Sequence, residues 1–272
     1  MHPTVAHILR RRGISPSDFR AACQEAVRLL GDQPSISARM QLAAALATVP
    51  GGKLCDVGGS TSAYLLVAHV LGTHVTIVDT MPYVDGGPGA VPGFEAEVRR
   101  RLTLFEKLGL AVRRTDVFET GLPADHFDVA VAFETIEHFA HSPKPVLEAM
   151  VKSLHPGGRL CLSTPNIARI EMRLRLLAGR TVHERLVPFF HDGNPFLGHH
   201  REYTLNEFEA LPDLLGLKAV AVFAANVTYE SRKRKTAAQH FLINLEERYG
   251  LGDLLLPPTW RKHVWLEAMK QR

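Results

Sequence analysis

The chain has 272 residues, 46% of them hydrophobic and 22% charged, with 32 Lys/Arg against 28 Asp/Glu for a formal net charge of +4. At about 150 residues per domain this length fits one large decorated domain or two small ones, and it excludes a mini-protein or a repeat array. The apolar share excludes a disordered chain.

Cys23, Cys55 and Cys161 are odd in number, far apart and without CxxC spacing. That argues against a disulfide framework or a cysteine zinc site and for a reducing, cytoplasmic setting. Neither a signal-type apolar run nor a stretch of about 18 apolar residues occurs, so no membrane span is expected. Histidine is the outlier: of the 14 in the chain, eight fall between His126 and His200.

Residues 1–50 read as a helical N-terminal extension. Ser15-Pro16 is a cap followed by proline in the first turn, Phe19, Cys23, Ala26 and Leu30 recur at helical spacing, and Gly31 follows. A second helix is placed over Ser37–Thr48, ended by Pro50-Gly51-Gly52. From Lys53 the pattern changes to short apolar runs alternating with helical stretches. Strands are expected at Lys53–Val57, His74–Asp79, Leu110–Thr115, Phe127–Phe133, Arg159–Ser163 and Leu217–Phe223, and His263–Met269 fits a last, antiparallel edge strand.

Between them, helices are expected at about Thr61–Leu71, around Phe94, Val98, Leu102 and Phe105, over Pro145–Leu154, from a Thr204 cap to Leu215, and over Thr236–Tyr249. Phe127–Phe133 is apolar at nearly every position, as a strand buried on both faces should be. The alternation specifies an α/β fold, doubly wound, with a mostly parallel seven-stranded sheet. Residues 51–272 then form one domain, and the long connection 167–203 is an insertion of the size that usually carries function.

Asp56-Val57-Gly58-Gly59-Ser60-Thr61-Ser62 lies where the first strand turns into a helix. Small residues there let a ligand approach the backbone, and the helix N-terminus supplies N–H donors. Asp79, 21 residues past Gly58 at the end of the second strand, is placed to accept hydrogen bonds from ribose hydroxyls. A dinucleotide fingerprint would keep one glycine of three at Gly58, Ser60 and Ala63. An oxidoreductase is therefore the weaker reading.

Five ordered segments decide between cofactors: Asp56-Val57-Gly58-Gly59-Ser60, Val78-Asp79, Thr115-Asp116-Val117-Phe118, Phe127-Asp128-Val129-Ala130 through Glu134-Thr135-Ile136-Glu137-His138, and Leu154-His155-Pro156-Gly157-Gly158-Arg159-Leu160. Together they resemble the class I S-adenosylmethionine-dependent methyltransferases, with serines at Ser60 and Ser62 where the family's first motif has its second and third glycines. The resemblance implies a Rossmann-like sheet and S-adenosylmethionine as cofactor. It implies that Asp56, Gly58, Gly59 and Ser60 hold the methionine end, Asp79 the ribose, and Asp116 and Val117 the adenine. Glu134 counts as a further cofactor contact.

His138 directly follows the fourth strand, a position that faces the acceptor in that family, and a histidine there suits a general base for a hydroxyl acceptor. His199 is the second catalytic candidate. Its segment, Gly198-His199-His200-Arg201-Glu202-Tyr203-Thr204, resembles one in methyltransferases of glycan and natural-product pathways, where the histidine and arginine would line the acceptor pocket. Phe189, Phe190, His191 and Phe196 make the preceding loop aromatic, fitting a lid over the acceptor or a packed loop.

ExxEH with a later histidine also resembles ubiquinone-pathway O-methyltransferases and metal-dependent small-RNA 3′-end 2′-O-methyltransferases. If Glu134 begins a helix, it shares one face with Glu137 and His138, and with His199 the set can bind a divalent metal. Cofactor contact, capping and base roles explain the same residues without one.

The favoured reading is O-methylation of a small or lipid-linked glycan or secondary metabolite. The alternatives are 2′-O-methylation of an RNA terminus and a non-catalytic binding protein on the same fold. Residues 231–272 carry nine Lys/Arg against four Asp/Glu, densest at Arg232-Lys233-Arg234-Lys235. That favours a solvated basic segment over a nucleic-acid contact.

Overall fold

The computed structural model describes residues 1–85, 92–183, 186–191, 196–227 and 249–271. The expected helix over Thr236–Tyr249 falls almost wholly outside these residues, and the basic run Arg232–Lys235 lies outside them.

Seven strands form one sheet in the order β3-β2-β1-β4-β5-β7-β6. They are β1 (Lys53–Val57), β2 (His74–Val78), β3 (Ala111–Arg113), β4 (Phe127–Phe133), β5 (Leu154–Pro165), β6 (Leu217–Ala225) and β7 (His263–Lys270). β1 to β5 pair in parallel. β7 is antiparallel to both β5 and β6. The antiparallel edge is therefore present, but His263–Lys270 lies one place in from it and β6 is outermost.

The apolar run in β4 splits between two cores, as strand geometry requires. Val129 and Val131 join Leu54 and Ile77 under the helices α1 (Pro3–Arg11), α2 (Pro16–Leu30), α3 (Ala38–Ala47), α4 (Ala63–Val70) and α5 (Pro92–Lys107). Ala130 and Ala132 join Cys55 and Leu160 on the opposite face, beneath α7 (Lys144–Ser153) and α10 (Leu205–Leu214). A four-residue helix, α6 (Val117–Thr120), precedes α7.

The caps follow the sequence. The Ser15 hydroxyl accepts from the Ser17 and Asp18 amides, Gly31 is left-handed at the end of α2, and Thr204 and Glu207 form a reciprocal capping box on α10. Each cap of this kind contributes about 1 kcal/mol.

The first three helices belong to the larger core. Arg12 donates to the Leu46 and Thr48 carbonyls and to Glu267 on β7 at 2.8 Å. Burial opposes the charge on Glu267, but Arg12 and Arg159 outweigh it and hold its carboxyl below the usual range. The connection after β5, which contains α8 (Ile170–Leu177) and α9 (Leu186–His191), leaves and returns at one point: Asn166 bridges Tyr203, and the Ile167 amide donates to the Tyr203 carbonyl at 3.1 Å.

Candidate cofactor and acceptor site

The turn after β1 is closed from behind. Gly58 has φ +77°, and a Cβ there would meet the Thr135 methyl at 2.3 Å; one at Gly59 would meet the Asp56 carboxylate at 1.8 Å. Asp56 is fully buried, accepts the Tyr64 hydroxyl at 2.5 Å and lines neither cavity described below. Burial pushes its carboxyl up to about 8, against the Tyr64 hydrogen bond. It supports the turn from beneath.

Ser60 is left-handed at φ +50°, a conformation that costs a non-glycine residue about 1 kcal/mol or more. Its amide donates to the Asp79 carboxylate at 2.9 Å, a charge-assisted bond that offsets this strain. Ser60 thus takes a left-handed backbone conformation of the kind that glycine adopts without strain.

Asp79 also accepts the Met81 amide at 2.6 Å and the Tyr83 hydroxyl at 3.2 Å. Burial raises its pKa and these three bonds oppose the rise. A carboxylate has about four lone-pair positions, so one remains for a ribose hydroxyl. Asp116 caps α6, accepting the Phe118 amide at 2.8 Å, and Val117 sits beside it.

Two cavities run along the carboxyl edge of the sheet, of about 470 and 300 Å³. The larger is lined by Gly58, Asp79, Asp116, Val117 and Phe118, the smaller by Gly59, Ser60, Arg39 and Trp265. Gly58, Tyr83, Glu134 and His138 line both, so the two form one groove. Its dimensions and partly apolar walls suit a nucleoside at one end and a reacting centre at the other. The position, at the strand ends where β1 and β4 flank the switch in strand order, is that of nucleotide sites on doubly wound sheets.

Glu134 departs from expectation. The segment forms a 3₁₀ turn only over Ile136–His138, and Glu134 precedes it at φ +54°. Its side chain therefore does not share a helical face with Glu137 and His138. Its carboxylate takes Arg39 at 3.0 Å, the Ser163 hydroxyl at 2.8 Å and His263 at 3.3 Å. Burial would raise its pKa, but His263 and Arg39 outweigh burial and hold it well below the usual carboxylate range.

His138 and His199 are brought together, with ring centroids 4.7 Å apart. His138 Nδ1 lies 2.9 Å from the Leu197 carbonyl and 3.2 Å from that of Gly198; His199 Nδ1 lies 2.9 Å from Glu202. Carbonyl oxygens only accept, so the neutral His138 ring carries its proton on Nδ1 and keeps a lone pair on Nε2. Burial, and then the neighbouring His199, lower its pKa.

The loop is clamped in return, because the His200 and Arg201 amides donate to the Glu137 carbonyl at 2.7 and 3.1 Å. Glu137 itself is fully buried, and neither carboxylate oxygen has a hydrogen-bond partner among the described residues. Burial, reinforced by Glu134, raises its pKa well above the ordinary value. One ligand atom each from Glu137, His138 and His199 lie within 4.8 Å of one another; Glu134 is not in this group. Phe189 and Phe190 are exposed rather than packed, and Phe189 meets Phe196 edge-on at 5.0 Å.

Arg39, Tyr64, Tyr83 and His263 belong to the site without any local motif announcing them. Tyr83 follows Asp79 by four residues in a loop, and Arg39 arrives from α3, far away in sequence.

The model of the methyltransferase domain matches residues 29–222. The chain belongs to this family, the class I S-adenosylmethionine-dependent methyltransferases. No curated protein matches it in sequence.

Among solved structures, an S-adenosylmethionine-dependent methyltransferase from Mesorhizobium loti is 17% identical with a TM-score of 0.55, covering 89% of this chain and 100% of its own. A Haloferax volcanii methyltransferase, solved in complex with a methyltransferase activator, is 15% identical with a TM-score of 0.53 and covers 94% and 97%. Phosphoethanolamine N-methyltransferase 2 of Haemonchus contortus, in complex with S-adenosyl-L-methionine, is 11% identical at 0.52 and covers 98% of this chain and 60% of its own. At these identities the likeness is one of fold. Among the described residues no helix is long and apolar enough to cross a membrane.

Proposed function

We propose that the protein is an O-methyltransferase that uses S-adenosylmethionine to methylate a hydroxyl of a small or lipid-linked glycan or secondary metabolite, with His138 as general base. The observation that carries this reading is the tautomer of His138: Nδ1–H is held by the Leu197 and Gly198 carbonyls on the wall of the groove, which leaves Nε2 free to take a proton.

Bound cofactor supplies an electrophilic methyl group and a neutral thioether leaving group. Asp79 would hold the ribose, Asp116 and Val117 the adenine edge, and Gly58 to Ser60 the methionine end, with Glu134 and Arg39 forming the wall beside it. Asp56 acts by supporting the turn. His199, fixed by Glu202, shapes the acceptor's approach to His138. Because the displacement is in line, alignment of the acceptor oxygen about 3 Å from the methyl carbon contributes much of the rate.

S-adenosylhomocysteine at about 100 times its Kd should stabilise the fold by about 2.7 kcal/mol, which for a chain of this size raises Tm by roughly 5 to 10 °C, whereas NADH should not. Differential scanning fluorimetry checks this, and a shift with NADH alone would reject the reading.

The grouping of Glu137, His138 and His199 favours a second, metal-dependent reading, in which these residues would hold a divalent ion whose chemistry would be Lewis-acid activation of a hydroxyl such as a ribose 2′-hydroxyl at an RNA end. Both histidines have Nδ1 committed to an acceptor, as metal-binding histidines usually do, and a cation would keep the buried Glu137 ionised. On that reading Mn²⁺ titrated into chelator-treated protein, followed by electron paramagnetic resonance, should bind one ion per chain and lose it in Glu137→Gln. Absence of binding leaves the metal-free base mechanism.

A further inference from the structure

A third cavity, of about 340 Å³, lies on the other side of the 199–202 segment, against α8. Its walls carry Arg169, Arg175, Arg201, His183, His199 and His200, with Glu202 as the carboxylate among them. Glu202 is already engaged by Arg169 at 2.6 Å and by His199 at 2.9 Å. Arg201 lies over the Tyr203 ring at 4.4 Å and pairs with Glu207 at 2.5 Å.

Arg175 donates through Nε to the Thr181 carbonyl at 3.0 Å and makes no ion pair among the described residues. That one bond fixes the plane of its guanidinium and leaves the terminal nitrogens for a ligand. Three guanidinium groups around one occupied carboxylate leave the cavity with a surplus of positive charge, and three imidazoles add ring nitrogens to its walls, so the lining favours an anion. Planar arginine forks match phosphate oxygens, and a concave site focuses their field.

This cavity adjoins the proposed acceptor site. Leu197 and His138 line the cofactor groove, while His199 to Glu202, the next residues of the same loop, line the cationic cavity. We propose that the cavity binds a phosphate or diphosphate group carried by the methyl acceptor, so that the acceptor is anchored there while its hydroxyl reaches His138. This rests on the methyltransferase reading above and specifies its substrate class. The group could belong to a water-soluble phosphorylated compound or to a lipid diphosphate; exposed Leu176, Leu177, Leu186 and Val187 follow along the same insertion.

The test is isothermal titration of inorganic pyrophosphate into protein saturated with S-adenosylhomocysteine, which keeps the probe out of the cofactor groove. One saturable site is expected, weakened about tenfold or more in Arg175→Gln and further in the double variant Arg175→Gln/Arg201→Gln, with the affinity for S-adenosylhomocysteine unchanged. That unchanged affinity shows that the variants fold. Farnesyl diphosphate is the second arm: tighter binding than pyrophosphate supports the lipid-borne source and equal binding the soluble one, and either order upholds the anion site.

Pyrophosphate that fails to saturate by about 10 mM, or that binds the double variant as well as the native chain, overturns the proposal. So does a short single-stranded RNA that binds far more tightly than pyrophosphate and loses that affinity in Arg175→Gln, because the site would then be a nucleic-acid contact. If S-adenosylhomocysteine itself does not bind, it is the cofactor reading that fails, and the pyrophosphate result stands apart from it.

Discussion

His138→Ala is expected to lower kcat by about 10² to 10⁴, the usual contribution of a positioned general base, while changing the Kd for S-adenosylhomocysteine by less than about threefold. Removing the ring leaves the proposed ribose and adenine contacts in place, because these are assigned to Asp79, Asp116 and Val117, which line the groove from other segments. The pH profile is the sharper readout. Burial and His199 lower the pKa of His138 below 6.5, so the ring is neutral at pH 7 and becomes protonated only as pH falls.

The base form is thus present above the lowered pKa and lost below it, and log kcat/KM of the native enzyme should fall with unit slope on the acid side. In His138→Ala that limb should be absent. Unchanged turnover, or an acid limb that survives the substitution, would remove His138 as the base. In the metal-dependent reading the same variant also loses bound Mn²⁺, which the titration described above detects independently.

The parts of this site that the sequence makes legible are those built by local rules. The glycine turn, Asp79 at a strand end and the Thr204–Glu207 box each arise within a few residues of chain, so periodicity and capping chemistry reveal them. Glu134 shows where such rules stop. A helical reading of Glu134 to His138 puts its side chain beside Glu137, but the backbone enters φ +54° at Glu134 and turns the carboxylate toward Arg39, Ser163 and His263, partners from α3, β5 and β7.

None of those contacts has a sequence spacing from which it could be inferred. The same holds for the placement of β7: its antiparallel character is readable as a late strand after the parallel series, whereas its insertion between β5 and β6 depends on pairings between segments about 100 residues or more apart along β5. The first 50 residues illustrate the converse. They read as an extension, yet they carry Arg39 to the groove and Arg12 to Glu267, so the helices both complete the core and close one end of the site.

Asp79→Ala should weaken S-adenosylhomocysteine binding roughly 10- to 150-fold, the equivalent of about 1.5 to 3 kcal/mol for a hydrogen bond to a charged group. The effect has two sources. One is the loss of the acceptor proposed for the ribose. The other is the turn itself: Ser60 holds its left-handed φ of +50° while its amide donates to Asp79, and the Met81 amide and the Tyr83 hydroxyl converge on the same carboxylate.

Without it two amides lose their partner and the strain at Ser60 is no longer offset, so the turn proposed for the methionine end loosens together with the proposed ribose site. Asp79→Asn separates the sources poorly by design: its single carbonyl oxygen can serve either the Ser60 or the Met81 amide, and its NH₂ then opposes the other. The discriminating partner is Ser60→Gly, which relieves the strain and keeps the amide. It should leave the cofactor Kd within about threefold of native when Asp79 is present and recover part of the affinity lost in Asp79→Ala. Calorimetry on the native chain, the two single variants and the double variant Asp79→Ala/Ser60→Gly measures this coupling directly. If Asp79→Ala binds S-adenosylhomocysteine as tightly as the native chain, the ribose is not held there, and the groove's polarity along the sheet edge must be reassigned.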